Sequence, residues 1–121
     1  MRKYIHDDIQ LEVYNKPQII GIDQTELLTK SMEVGLYTHG RLVVTPDVYF
    51  QTLYENVYVE VKQSRSHQCM RKGKDQLEKI LIWHDMQGLP TPKLYLVTPK
   101  DKYYRNWKSL VKGLIVQEYK F

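Results

Sequence analysis

Apolar and polar positions first alternate over Ile9-Gln10-Leu11-Glu12-Val13-Tyr14, which predicts a strand ended by Asn15-Lys16-Pro17. Asp23, followed three residues later by Glu26, has capping-box spacing and predicts a helix over 24–34, with Gly35 as its stop. Arg41-Leu42-Val43-Val44 and Val48-Tyr49-Phe50 read as strands on either side of Thr45-Pro46-Asp47. After a turn at Tyr54-Glu55-Asn56, the run Val57-Tyr58-Val59-Glu60-Val61-Lys62 alternates with strict period two. Its three valines must then share one face of a strand, and Tyr58, Glu60 and Lys62 the other. Residues 63–68 are polar and read as a loop. A helix over 72–86 carries Leu77, Ile80, Leu81 and His84 on one stripe, and Gly88-Leu89-Pro90-Thr91-Pro92 breaks it. Leu94-Tyr95-Leu96-Val97 predicts a buried strand, 101–113 a helix packed through Trp107, Leu110 and Val111, and 114–119 a closing strand. The order β, α, β, β, α, β, α, β predicts a mixed α+β fold of the α/β kind. It is expected to be one domain over 1–121, with a central mixed sheet flanked by helices.

Composition narrows this picture little. The chain has 121 residues, enough to bury a core without covalent staples, and 42% of them are hydrophobic, which argues against disorder. The net charge of +4 permits a polyanionic partner without requiring one. Lys and Arg gather in two stretches, 65–79 and 93–112. The single cysteine, Cys69, excludes an internal disulfide and a zinc finger, and it has no partner of a thiol nucleophile at any telling spacing. The amino-terminal residues lack the apolar run of a signal peptide, and no stretch reaches the roughly 20 apolar residues of a membrane span. These features predict a soluble cytoplasmic protein with no membrane association.

The candidate chemistry lies in the two central strands. Divalent-metal hydrolysis of a phosphodiester needs two convergent carboxylates for the cation and an ammonium to orient water or offset growing charge. Asp47 follows Pro46 at the start of one strand. Thirteen residues later Glu60 and Lys62 emerge on one face of the next, so a hairpin would bring Asp47 beside Glu60. An E-x-K tripeptide alone is usually a solvated, salt-bridged strand face; the Pro-Asp, the hairpin and the following helix give it weight here.

Pro46-Asp47 followed by Glu60-Val61-Lys62 resembles the PD-(D/E)XK nuclease superfamily. In length and in the run Glu60-Val61-Lys62-Gln63-Ser64-Arg65 the chain looks most like small archaeal-type Holliday junction resolvases, and equally like compact phage, virus or mobile-element nucleases. The resemblance covers roughly 24–100. It implies a restriction-endonuclease-like fold and an Mg²⁺-dependent (or Mn²⁺-dependent) endonuclease acting on DNA, including branched DNA, as a homodimer. It implies that Asp47 and Glu60 bind the metal with the carbonyl of Val61, and that Lys62 positions water or stabilises the developing charge. A helix before the first strand would supply another glutamate, for which the predicted helix offers Glu26 or Glu33. Glu26 is the better placed, although its capping-box position accounts for it equally well. Arg65, His67, Arg71, Lys72, Lys74 and Gln76 would contact the nucleic acid, the arginines by geometric match to phosphate. Tyr95, Tyr103, Tyr104 and Trp107 are read as core before bases are invoked. The competing readings are a non-catalytic nucleic-acid-binding module and a nuclease subunit of a larger transposition or restriction complex.

Overall fold

A computed structural model describes residues 2–100 and 113–121, the side chains of 2–5 excepted. Helix α1 (Arg2–Asn15) comes first, then two short 3-10 turns, and then strands β1 (Leu27–Met32), β2 (Leu36–Thr38), β3 (Arg41–Val44), β4 (Val48–Thr52) and β5 (Asn56–Val61). Helix α2 (His67–Met86), β6 (Lys93–Pro99) and β7 (Leu114–Tyr119) follow. The fold is mixed α+β, as expected. Five strands form one mixed sheet in the order β1-β4-β5-β6-β7, and β2 pairs with β3 in a separate hairpin. Within the large sheet only β5 and β6 run parallel, joined by the crossover helix α2.

The two helices cover opposite faces. Ile9 and Val13 of α1 pack with Val48, Phe50, Val57, Val59, Val61 and Val97. Leu77 and Ile80 of α2 pack with Tyr58, Leu94 and Leu96 on the other side. The period-two reading of residues 57–62 is therefore correct, and its consequence is stronger than a half-exposed strand would give. Strand β5 lies in the middle of the sheet under a helix on each face, and every residue from Val57 to Val61 is buried.

Three expectations need correcting. The first segment is a helix and not a strand: Ile9 and Val13 stand one helical turn apart and are fully buried, while Leu11 between them is 50% exposed. Period two and a four-residue spacing both place positions 9 and 13 on one face, so the alternation was ambiguous. The predicted helix over 24–34 is β1. Asp23 does cap, with its carboxylate accepting from the Thr25 N–H at 2.9 Å, but only the 3-10 turn Gln24–Glu26 follows. Pairing of Leu27–Met32 with β4 then overrides the local helix signal. Helix α2 begins earlier than predicted, because Ser66 is its cap: the Ser66 hydroxyl accepts from the Cys69 N–H at 3.2 Å. The predicted helix over 101–113, with Trp107, Leu110 and Val111, lies outside the described residues, as do Tyr103 and Tyr104.

Gly73 belongs in α2 because the helix closes tightly on the sheet there. A Cβ at this position would meet Leu96 Cδ1 at 2.8 Å and Lys62 Cγ at 3.5 Å. No described helix is long and apolar enough to cross a membrane.

Candidate active site

The β4–β5 hairpin has the register Val48↔Val59, so one further step places Asp47 opposite Glu60. The Asp47 carboxylate oxygen Oδ2 accepts from the Val61 N–H at 2.7 Å and stands 3.3 Å from His6 Nε2. Its backbone carbonyl accepts from Gln10 Nε2 at 2.8 Å and from the Glu33 N–H at 3.3 Å. Asp47 is thus fixed from three directions, by β5, by α1 and by the end of β1. Burial pushes its pKa up, but contacts with His6, the Glu60 carboxyl and the Val61 N–H outweigh burial and hold it below the ordinary aspartate value.

Glu60 is 0% exposed, and neither carboxylate oxygen has a hydrogen-bond partner among the described residues. This excludes the solvated-strand reading of the E-x-K tripeptide. Burial, and next the neighbouring charge of Asp47, drive the Glu60 pKa well above the ordinary glutamate value; the Lys62 ammonium acts in the opposite direction. A buried carboxylate without donors is costly. The chain tolerates one here beside a second acidic group and a lysine, an arrangement typical of functional sites.

The remaining pieces follow from the strand ends. The Val61 N–H faces Asp47, and in an extended strand the carbonyl of the same residue points to the same side. The Val61 carbonyl therefore projects towards Asp47. Lys62 leaves the strand with its N–H donating to the Val97 carbonyl at 3.0 Å, and its side chain lies beside Gly73 on the α2 face. Asp47, Glu60, Val61 and Lys62 are accordingly brought together at the carboxyl end of β5.

Glu26 is not. The Leu53 N–H donates to its carbonyl at 2.9 Å, beyond the far end of β4. Six residue steps separate Leu53 from Asp47, roughly 20 Å at strand rise. Glu26 lines a shallow cavity with Thr52, Glu55 and Lys93 instead. Glu33 touches Asp47 only through its backbone, with its side chain exposed and φ at +55°. The helix that reaches Asp47 is α1, and it brings His6 and Gln10, four residues apart and so on one helical face. Sequence reasoning missed both, because a strand placed at Ile9 hides the four-residue spacing. The bond to Asp47 raises the His6 pKa above its ordinary value despite partial burial.

Of the expected nucleic-acid contacts, Arg65 is held by neutral oxygens, Nη1 on Thr98 Oγ1 and Nη2 on Gln117 Oε1, both at 3.0 Å. Its charge stays available at the same end of the sheet as Lys62. His67 Nε2 accepts from Arg71 Nη2 at 2.9 Å across the first turn of α2, and Lys72 and Lys74 are exposed. Gln76, expected to contact the nucleic acid, has its Oε1 buried with no partner among the described residues.

No group of three or more His, Cys, Asp and Glu side chains able to hold a metal occurs among the described residues. A cation at this place would rest on two carboxylates and neutral oxygens, a donor set that suits a hard ion such as Mg²⁺. Comparison of the chain with protein-family models, with curated proteins and with solved structures finds no match, so the assignment of this site stands on its own geometry.

Proposed function

We propose that the chain is a divalent-metal-dependent endonuclease of the PD-(D/E)XK type, with a restriction-endonuclease-like fold and DNA as substrate. One observation carries this reading: Glu60, fully buried with both oxygens free of donors among the described residues, faces Asp47 and shares its strand face with Lys62. Two acidic groups brought together in the middle of a sheet must share a proton or be met by positive charge, and a bound cation would supply that charge. The residues present fit a hard cation, which would supply charge neutralisation at the scissile phosphate and a more acidic bound water.

The chain's own groups divide the remaining work. Asp47 and Glu60 hold the cation, together with the Val61 carbonyl. The Val61 N–H and His6 fix the Asp47 carboxylate, and Gln10 fixes its backbone. Lys62 places an ammonium where charge grows on the phosphate oxygens. Arg65, His67, Arg71, Lys72 and Lys74 supply positive charge and donors for the flanking backbone. Paired cuts in a branched substrate would need two copies of the chain, hence a homodimer.

The test is incubation of the protein with single-stranded, duplex, flap and four-way-junction DNA, and with RNA, in Mg²⁺ or Mn²⁺ and in EDTA. Cleavage should require the cation, and Asp47→Ala or Lys62→Ala should lower the rate by at least about a hundredfold, the scale of removing one group from a preorganised site. A wild-type protein that cuts nothing in either metal would end the nuclease reading.

A further inference from the structure

One buried oxygen outside Asp47 and Glu60 also lacks a partner among the described residues. Only three buried side-chain acceptors lack hydrogen-bond partners among the described residues: both oxygens of Glu60 and Oε1 of Gln76. Glu60 belongs to the site already. Gln76 sits on the crossover helix, sixteen residues further along the chain, and on the sequence alone it is a candidate nucleic-acid contact.

Its position can be fixed from its neighbours. Helix α2 runs back along β5. At one end Gly73 stands over Lys62, with a hypothetical Cβ 3.5 Å from Lys62 Cγ; at the other, His84 Nε2 accepts from the Tyr58 hydroxyl at 2.6 Å. Gln76 lies three residues beyond Gly73, about 4.5 Å along the helix axis. Glu60 lies two residues back from Lys62, about 6.6 Å along the strand. Gln76 therefore falls level with the stretch between Lys62 and Glu60.

The helix flank gives the second coordinate. Gln76 and Trp83 are seven residues apart and share a side of α2. Trp83 Nε1 donates to the Tyr37 carbonyl in the β2–β3 hairpin at 2.9 Å, and Trp83 lines a groove with Tyr49 of β4 and Tyr58 of β5. The opposite flank, with Leu81, faces Leu94 and Tyr119 of β6 and β7. Gln76 thus looks across β5 towards β4, the side on which Asp47 meets Glu60.

From this placement we infer that Gln76 Oε1 is a direct ligand of the divalent cation, the neutral third side-chain oxygen beside Asp47 and Glu60. The inference rests on the cation site proposed above and adds to it a residue from α2. Carboxamide oxygens are ordinary ligands of hard cations. A neutral donor suits this place, since it adds a ligand oxygen without burying a third acidic group beside Asp47 and Glu60 in the metal-free protein. Ligation would also satisfy at once all three acceptors that are buried and unpaired, which a lone water donating two hydrogens would not.

The experiment measures cation binding with no nucleic acid present. Mn²⁺ and Mg²⁺ are titrated calorimetrically into the full chain and into Gln76→Leu, Gln76→Glu and Asp47→Ala, with circular dichroism checking the fold of each. Leucine should weaken affinity on the order of tenfold or more, at least the loss seen when even an outer-shell partner of a metal is removed. Glutamate should restore or tighten binding. Unchanged affinity in a folded Gln76→Leu protein overturns the inference, as does a wild type that binds neither cation. Should the leucine variant fail to fold, Gln76→Asn, which withdraws the oxygen by one methylene, is measured in its place with the same expectation. The two claims fail separately. Cation binding that depends on Gln76, without cleavage of any nucleic acid, leaves the ligand and removes the nuclease. Cleavage with an affinity indifferent to Gln76 does the reverse.

Discussion

Glu60 holds a carboxylate in the least favourable surroundings the fold offers, on the central strand, under a helix, with no donor to either oxygen among the described residues. Its raised pKa has a direct consequence for stability. The protonated form prefers the folded state, so its stabilising contribution is complete below the ordinary glutamate value and is lost as pH rises through the folded value. Near neutrality the wild type bears the cost of an ionised or proton-seeking buried carboxyl. Glu60→Gln removes that cost. Without metal, the variant is expected to be more stable than the wild type by about 1–3 kcal/mol at pH 8, the scale of an unsatisfied buried polar group. The gain should shrink as pH falls towards 4, and cation-dependent cleavage should be lost. Thermal melts of both proteins in EDTA across this range decide it; a variant less stable at every pH would mean that Glu60 has a structural partner and is not a strained functional group. Asp47, Glu60 and Lys62 were legible in the sequence because period two and the hairpin fix which side chains share a face. Gln76 was named there only as a nucleic-acid contact, since burial of one amide oxygen depends on how α2 lies across the sheet.

The elements were legible where one pattern alone fitted the residues. Strands β4, β5 and β6 and most of α2 follow from alternation, from an apolar run and from a helical stripe. Helix α1 and strand β1 did not follow, for different reasons. At β1 an Asp23 cap of ordinary geometry starts a turn, but the partner strand decides what comes next. At α1 two periodicities agree on Ile9 and Val13 and disagree on Leu11 and Gln10. A strand with one face in the core would bury Leu11 with Ile9 and Val13, whereas the helix exposes Leu11 and turns Gln10 inward to the Asp47 carbonyl. Ile9→Ala should therefore cost about 2–4 kcal/mol, as for other buried isoleucines, and Leu11→Ser should stay within about 0.5 kcal/mol. Denaturant unfolding of the two variants separates the arrangements, because equal losses would restore the strand. The distinction bears on function as well as fold, since only the helix carries His6 to the carboxylate.

Across the whole molecule, the parallel pair β5–β6 and its crossover helix give the sheet two unlike ends. The carboxyl end of β5 leads directly into the amino end of α2, and this end gathers Asp47, Glu60, Lys62, Arg65, Arg71 and Lys72. At the other end Lys93 is paired with Glu55 at 3.3 Å. A net charge of +4 over the chain is modest, but Lys62, Arg65, Arg71 and Lys72 together beside the two carboxylates can hold a polyanion across the site. Two kinds of variant should then behave oppositely. With DNA binding followed by fluorescence anisotropy in EDTA, so that no cutting occurs, affinity should fall steeply between about 50 and 200 mM salt. Replacing Arg71 and Lys72 by alanine should weaken binding to every sequence alike and leave Mg²⁺ affinity unchanged. It should also flatten the salt dependence by about one unit of slope for each phosphate that is no longer neutralised. Asp47→Ala should do the reverse, strengthening metal-free DNA binding by removing a negative charge next to the phosphate while abolishing the response to Mg²⁺. If alanine at 71 and 72 leaves the slope where it was, the nucleic acid does not cross this end of the sheet, and the positive charge at the start of α2 must then serve solubility and not recognition.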